Sequence, residues 1–272
     1  MAVGGAVRVT ESGLGCPDWP LCHGNVVPAG RRAPLIEYSH RATATIVTLL
    51  VIATVVVAWR VYGRSRRDIV YPATVAAALV PFQAFLGAVV VWLELPSWIV
   101  AAHFVVGMLF LAATVITAGR AWARPVAASD TFVRTAWAGA ATAFVLVSVG
   151  AAVVAAHADT ACGRQWPACN GGFANGGGHA VLQVAHRSLA YALAVIALAL
   201  AVLAWRGSGP ALAAALPLVA VAVQIGIGIS LVIIAGGSGA HRVLEVFHVA
   251  GAGAVWVSLV AVVAFLGLPA RP

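Results

Sequence analysis

The stretch "ESGLGCPDWPLCHG", residues 11–24, sets two cysteines, two prolines, a tryptophan and a histidine beside long apolar runs. It returns as "ACGRQWPACNGG" at 161–172. Cys16 and Cys22 fall on Cys162 and Cys169, and Trp19-Pro20 on Trp166-Pro167, at an offset of 146 to 147 residues. The register holds downstream. "IEYSHRATATIV" (36–47) falls on "LQVAHRSLAYAL" (182–193), which sets His40-Arg41 on His186-Arg187. "AAHFVVGMLF" (101–110) falls on "VFHVAGAGAV" (246–255), setting His103 on His248, while Gln83 and Gln224 mark the intervening segments. Independent features recurring in one order make the chain two copies of one module.

The spaces between these landmarks are apolar. Of 272 residues, 62% are hydrophobic and 9% charged, against about 25% charged in soluble domains. Seven segments, near 38–60, 71–93, 98–119, 131–156, 180–205, 210–235 and 242–267, reach the ~20 residues that cross a bilayer as helix. The expected fold is an all-α polytopic membrane protein. The second module holds four helices, an even number, so the copies are parallel and related by an axis along the membrane normal. This gives two tandem four-helix-bundle modules, 1–124 and 125–272. Fewer residues precede Cys16 than separate the start of the second copy from Cys162, and "MAVGGAVRVTESG" reads as the outer end of a largely missing first helix. About seven transmembrane helices are therefore expected.

The net charge of +8 has no soluble basic face on which to hold nucleic acid and reads as topology. Arg60, Arg64, Arg66 and Arg67 follow the first segment; Arg120, Arg124 and Arg134 follow the third; Arg206 and Arg271 follow the fifth and last. The positive-inside rule makes those ends cytoplasmic and turns both cysteine loops outward, with Arg31 and Arg32 against the trend.

On that topology His40, His103, His186 and His248 lie at similar depth near the outer face, the first and third just inside the outer ends of their helices and the other two about one turn in. A lone histidine on an apolar helix is ordinarily a satisfied core residue. Four at matched depths in a duplicated frame point to facing imidazoles, the ligand set of a bis-histidine haem, one per module. Arg41 and Arg187 are placed to pair with haem propionates or to anchor the interface. Glu37 precedes His40 by three residues, on the same helix face, where the second module has Gln183. It reads as a proton acceptor or electrostatic stabiliser, or as a solvated acid at a helix start. Glu245 stands in the same relation to His248. In an oxidising compartment Cys16–Cys22 and Cys162–Cys169 are expected as disulfides, the second structural, the first either structural or redox-active. His23, His157, His179 and His241 fall in or beside outer loops, as surface histidines.

"GGAVRVTESGLGCPDWPLCHG", "EYSHR", "HFVVG", "HRSLAY" and "HVAGA", in this order, resemble the haem A synthase family over essentially the whole chain. The resemblance implies an eight-helix fold in which His186 and His248 hold haem b, while His40 and His103 face substrate haem O with Glu37 catalytic. It implies oxidation of a haem methyl group to a formyl group in oxygen-dependent steps, giving haem A for aa3-type cytochrome c oxidase. The implied partners are haem O synthase (protohaem farnesyltransferase), the cytochrome c oxidase assembly machinery, an electron donor the sequence does not name, and a second copy in a homo-oligomer. The implied location is the cell membrane. A di-haem b-type electron-transfer protein linked to quinol is the main alternative; a transporter or a scaffold leaves the matched histidines without a purpose.

Overall fold

The computed structural model describes residues 1–122, 126–167, 169, 177–234 and 238–266. These form eight α-helices: α1 (Ala2–Val9), α2 (Arg32–Val61), α3 (Arg67–Trp92), α4 (Ser97–Trp122), α5 (Asp130–Ala155), α6 (Gly177–Trp205), α7 (Ala211–Ile233) and α8 (Gly239–Phe265). All but α1 are long and apolar enough to cross a membrane, and the chain is a multi-pass membrane protein. Among the described residues there is no strand, only the isolated bridges Cys22–Asn25 and Val126–Leu266. The boundary between residues 124 and 125, Arg124, Arg271 and part of the second cysteine stretch (168 and 170–172) lie outside the described residues.

Hydropathy alone starts several helices too late. α2 begins at Arg32 rather than near 38, because Glu37 and Arg41 are helical and find partners in the loop that precedes them. The four histidines sit between roughly 1.5 and 2.5 turns inside α2, α4, α6 and α8, His40 and His186 well past the helix ends where they were expected.

The halves pack alike except that α5 also packs on α8, a contact the short α1 does not make with α4. α1 meets α2, α2 meets α3 and α3 meets α4; α5 meets α6, α6 meets α7 and α7 meets α8. Across the middle, α4 packs on α8, α4 on α5 and α1 on α8. Exchanging the halves turns the α1–α8 contact into α5–α4 and maps α4–α8 onto itself, the pattern of a two-fold relation. The helix ends agree. Beyond α1 the chain turns at Glu11 (φ 53°), and beyond α5 at His157 (φ 52°). Ser12 N–H then returns to the Val7 carbonyl (2.9 Å) and Ala158 N–H to that of Val153 (2.9 Å), the six-to-one bond of a left-handed helix cap.

Small residues set the helix spacing, as expected where lipid removes much of the hydrophobic drive between helices. On α5, Ala136, Gly139, Ala140 and Ala143 are buried at helical spacing, and a Cβ on Gly139 would stand 3.0 Å from Leu259 Cδ2. The main buried cluster joins Phe132, Leu193, Leu200, Trp256 and Leu259 to Met108 of the first half. Trp256 Nε1 donates to the Met108 carbonyl (2.8 Å).

Candidate functional site

Both cysteine loops close on themselves: Cys16 is disulfide-bonded to Cys22 and Cys162 to Cys169, and all four cysteines are buried. The Trp19–Pro20 and Trp166–Pro167 peptides are both cis. The first loop is shaped by Asp18, whose carboxylate accepts the N–H groups of His23 (2.6 Å) and Gly24 (2.7 Å). The bond from Gly24, with that from His23 beside it, holds the Asp18 carboxyl below its ordinary range. His23 Nε2 lies 2.9 Å from the Gly15 carbonyl.

A glutamate and an arginine one turn apart fasten this loop to α2. Glu37 is 4% exposed; its Oε2 accepts the Cys16 N–H (2.7 Å) and its Oε1 the Arg41 guanidinium (2.5 Å). Arg41 also donates to the carbonyls of Cys16 (2.8 Å), Asp18 (2.8 Å) and Leu21 (2.6 Å). Its four terminal N–H groups are thus spent on the protein, which leaves Nε–H for a propionate. The second half repeats the frame. Arg187 donates to Gln183 Oε1 (2.8 Å) and to the carbonyls of Gln165 (2.9 Å) and Pro167 (3.3 Å). Gln183 Nε2 donates to the Asp159 carbonyl. Where Glu37 takes a main-chain N–H, Gln183 gives one to a main-chain carbonyl.

The four histidines, all partly buried, lie beneath these frames. His186 and His248 face one another with ring centres 6.4 Å apart. His40 is a neighbour of His103. Each ring lies on a glycine of an adjacent helix. A Cβ at Gly4 would stand 3.4 Å from His40 Cε1, one at Gly87 3.5 Å from His103 Cε1, one at Gly150 2.9 Å from His186 Cε1, and one at Gly228 3.4 Å from His248 Cε1. Sequence reasoning missed these glycines. The signal was there: Gly4 and Gly150 share the offset of the first histidines, and Gly87 and Gly228 share that of the glutamines.

These residues fit a bis-histidine metal group. Two imidazoles bound end-on to opposite sides of one ion, at roughly 2.0–2.1 Å per metal–nitrogen bond, have ring centres about 6 Å apart, close to the spacing of His186 and His248. His103 and His186 keep a buried Nδ1 without a hydrogen-bond partner, polar atoms that a simple apolar core would not retain. Among the described residues no group of three metal-binding side chains gathers. Glu245, the second acid three residues before a histidine, lies 3.8 Å from Arg8 and ties α8 to α1. His23, His157 and His179 are exposed as expected, and His241 is partly buried at the start of α8.

The sequence model of the cytochrome oxidase assembly protein family, COX15-CtaA, matches residues 1–260. This chain belongs to that family. Among similar family members, a haem A synthase of Bacillus pumilus is 35% identical over 118 residues, covering 43% of this chain and 38% of the relative. One from Exiguobacterium sibiricum is 38% identical over 120 residues, 43% of this chain and 39% of the relative. One from Halalkalibacterium halodurans is 34% identical over 179 residues, 62% of this chain and 58% of the relative. In these matches the chain spans between about four-tenths and six-tenths of the relatives' length. For this family member, the paired histidines and the two loop frames are the features that a function must use.

Proposed function

We propose that the chain is a haem A synthase, an oxidoreductase that converts a methyl group of haem O to a formyl group in oxygen-dependent steps. The observation that carries this reading is the difference between Glu37 and Gln183. Two frames built on the same helix positions, with Asp18 and Gln165 as matched carbonyl partners, set a carboxylate beside one histidine pair and an amide beside the other. A pair of equivalent electron carriers has no use for that difference; a reacting site and a relaying site do.

On this reading the chain comprises a substrate module (1–124) and a haem b module (125–272). His186 and His248 hold haem b, which supplies one-electron chemistry when bound. His40 and His103 hold substrate haem O. Glu37, fixed by the Cys16 N–H and Arg41, keeps negative charge near the methyl carbon as electrons leave it and takes up the departing proton. Arg41 offers its Nε–H to a propionate, and both Arg41 and Arg187 place positive charge beside one. The disulfide-closed loops shield each site from water at the outer face, with the Arg-rich ends cytoplasmic. Haem O synthase supplies the substrate, the oxidase assembly machinery takes the product, and a separate donor supplies electrons, with a homo-oligomer as the assembled form.

The test is acid–acetone extraction of haem from the purified protein, followed by chromatography and mass spectrometry. Haem A or a hydroxylated haem O beside haem b is expected. Haem b alone, with haem O supplied, would overturn the reading in favour of a di-haem electron carrier.

A further inference from the structure

Gln83 on α3 and Gln224 on α7 mark the repeat in the sequence but have no part in the reaction above. Both are aimed at a histidine. Gln83 Nε2 donates to the main-chain carbonyl of His103 (3.0 Å), and Gln224 Nε2 to that of His248 (2.9 Å). Each runs over a glycine of the facing helix: a Cβ at Gly107 would stand 2.9 Å from Gln83 Nε2, and one at Gly251 would collide with the Gln224 amide. In each half a glycine makes room for this side chain. The Oε1 atoms of both glutamines are buried without a partner.

Beyond that the halves differ. Gln224 Nε2 also lies 3.1 Å from His248 Nδ1, whereas His103 Nδ1 has no hydrogen-bond partner. His186 Nδ1 likewise has no hydrogen-bond partner. His248 is the one of these three with a side-chain amide at Nδ1.

A histidine bound to metal through Nε2 carries its proton on Nδ1, and that N–H takes an acceptor which fixes the ring and raises its basicity. We propose that Gln224 is a positioning residue for His248: with Nε2 on the iron, its otherwise unpartnered Oε1 turns to accept the Nδ1–H. Gln83 stays on the main chain and leaves His103 the less strongly oriented ligand. One half is thereby tuned to hold its haem firmly and the other to hold a haem that must come and go. The inference rests on the reading of His186 and His248 as haem b ligands.

The experiment is a potentiometric titration, followed by optical and electron paramagnetic resonance spectroscopy, of the purified haem-loaded protein and of Gln224→Leu, Gln224→Glu and Gln83→Leu. Removing the acceptor weakens the imidazole as a donor, so Gln224→Leu should raise the midpoint potential of the His186/His248 haem. A carboxylate at the same place strengthens it, so Gln224→Glu should lower that potential. Gln83→Leu should leave it where it was. Opposite shifts from Leu and Glu are what loosened packing cannot produce. Shifts of the same sign, no shift, or an equal shift from Gln83→Leu would overturn the proposal. If Gln224→Leu does not accumulate, the sign of the Glu shift against Gln83→Leu decides. A parent protein without a bis-histidine signal defeats the haem reading itself; a signal that no variant moves defeats this inference alone.

Discussion

Two residues decide whether the site is read correctly, and neither is a histidine. Glu37 is held by the Cys16 N–H and by Arg41. In Glu37→Gln the amide oxygen can still take one of these donors, so haem should stay bound while formyl product falls by roughly 10²–10⁴-fold, the usual worth of a positioned acid or base. Porphyrin extraction from the variant checks this, and an unchanged haem A yield would sink the role. Glu37→Ala leaves the part-buried Arg41 without its carboxylate and the buried Cys16 N–H without its acceptor, at a cost of up to about 3–5 kcal/mol, and thermal unfolding should report it. The second residue is Gly150. An added Cβ there meets the His186 ring at 2.9 Å, whereas at Gly226 it meets nothing within 4 Å. Gly150→Ala should therefore lose the haem proposed for His186 and His248, with Gly226→Ala retaining it, as read from the absorption spectrum. The histidines were legible because imidazole in an apolar helix is conspicuous and recurs at a fixed offset. The glycines were not, since an absent side chain acquires meaning only once the ring opposite it is known.

Helices were the easiest elements to read, and their first turns the hardest. Seven apolar segments located α2 to α8, because a bilayer demands that length of apolar chain. Hydropathy placed the start of α2 late, since it counts Arg32 and Glu37 as water-facing. Here Glu37 and Arg41 bond the preceding loop instead. Recurrence of the loop was visible in its cysteines and tryptophans; its attachment by Arg41 carbonyl contacts was not, because main-chain acceptors leave no mark on a sequence. The loop's own stability has a definite pH sign. Asp18 has a lowered carboxyl pKa through its bonds from Gly24 and His23, so its contribution is present above the ordinary aspartate value of 3.8 and is lost as the pH falls through the lower folded value. Hydrogen exchange at the Gly24 and His23 amides should show protection that holds from neutral pH down to about 5 and fails only in stronger acid. Asp18→Asn should remove that pH dependence. Exchange that accelerates already between pH 7 and 5 would show that another group governs the loop.

For the whole molecule, the contact between halves matters as much as either half. Met108 of α4 belongs to the same buried cluster as Leu193, Leu200, Trp256 and Leu259, and its carbonyl takes the Trp256 indole N–H. Arg120 of α4 reaches the Leu266 carbonyl (2.8 Å), and α4 and α8 approach so closely that a Cβ on Gly119 would stand 2.8 Å from Ala264 Cβ. In lipid such close approach of small residues is what holds helices together. The two halves should accordingly remain associated without a covalent link. A protease site placed between α4 and α5 makes this testable: after cleavage, the pieces should still elute together from a size-exclusion column in mild detergent. Gly119→Leu drives a side chain into Ala264, and overpacking of this kind costs roughly 1–3 kcal/mol. In the cleaved protein that loss falls directly on association, a weakening of about five- to 150-fold, so the pieces should separate at concentrations where the parent's do not. Cleaved parent protein that falls apart unaided would mean that each half is stable alone and that the α4–α8 seam contributes little.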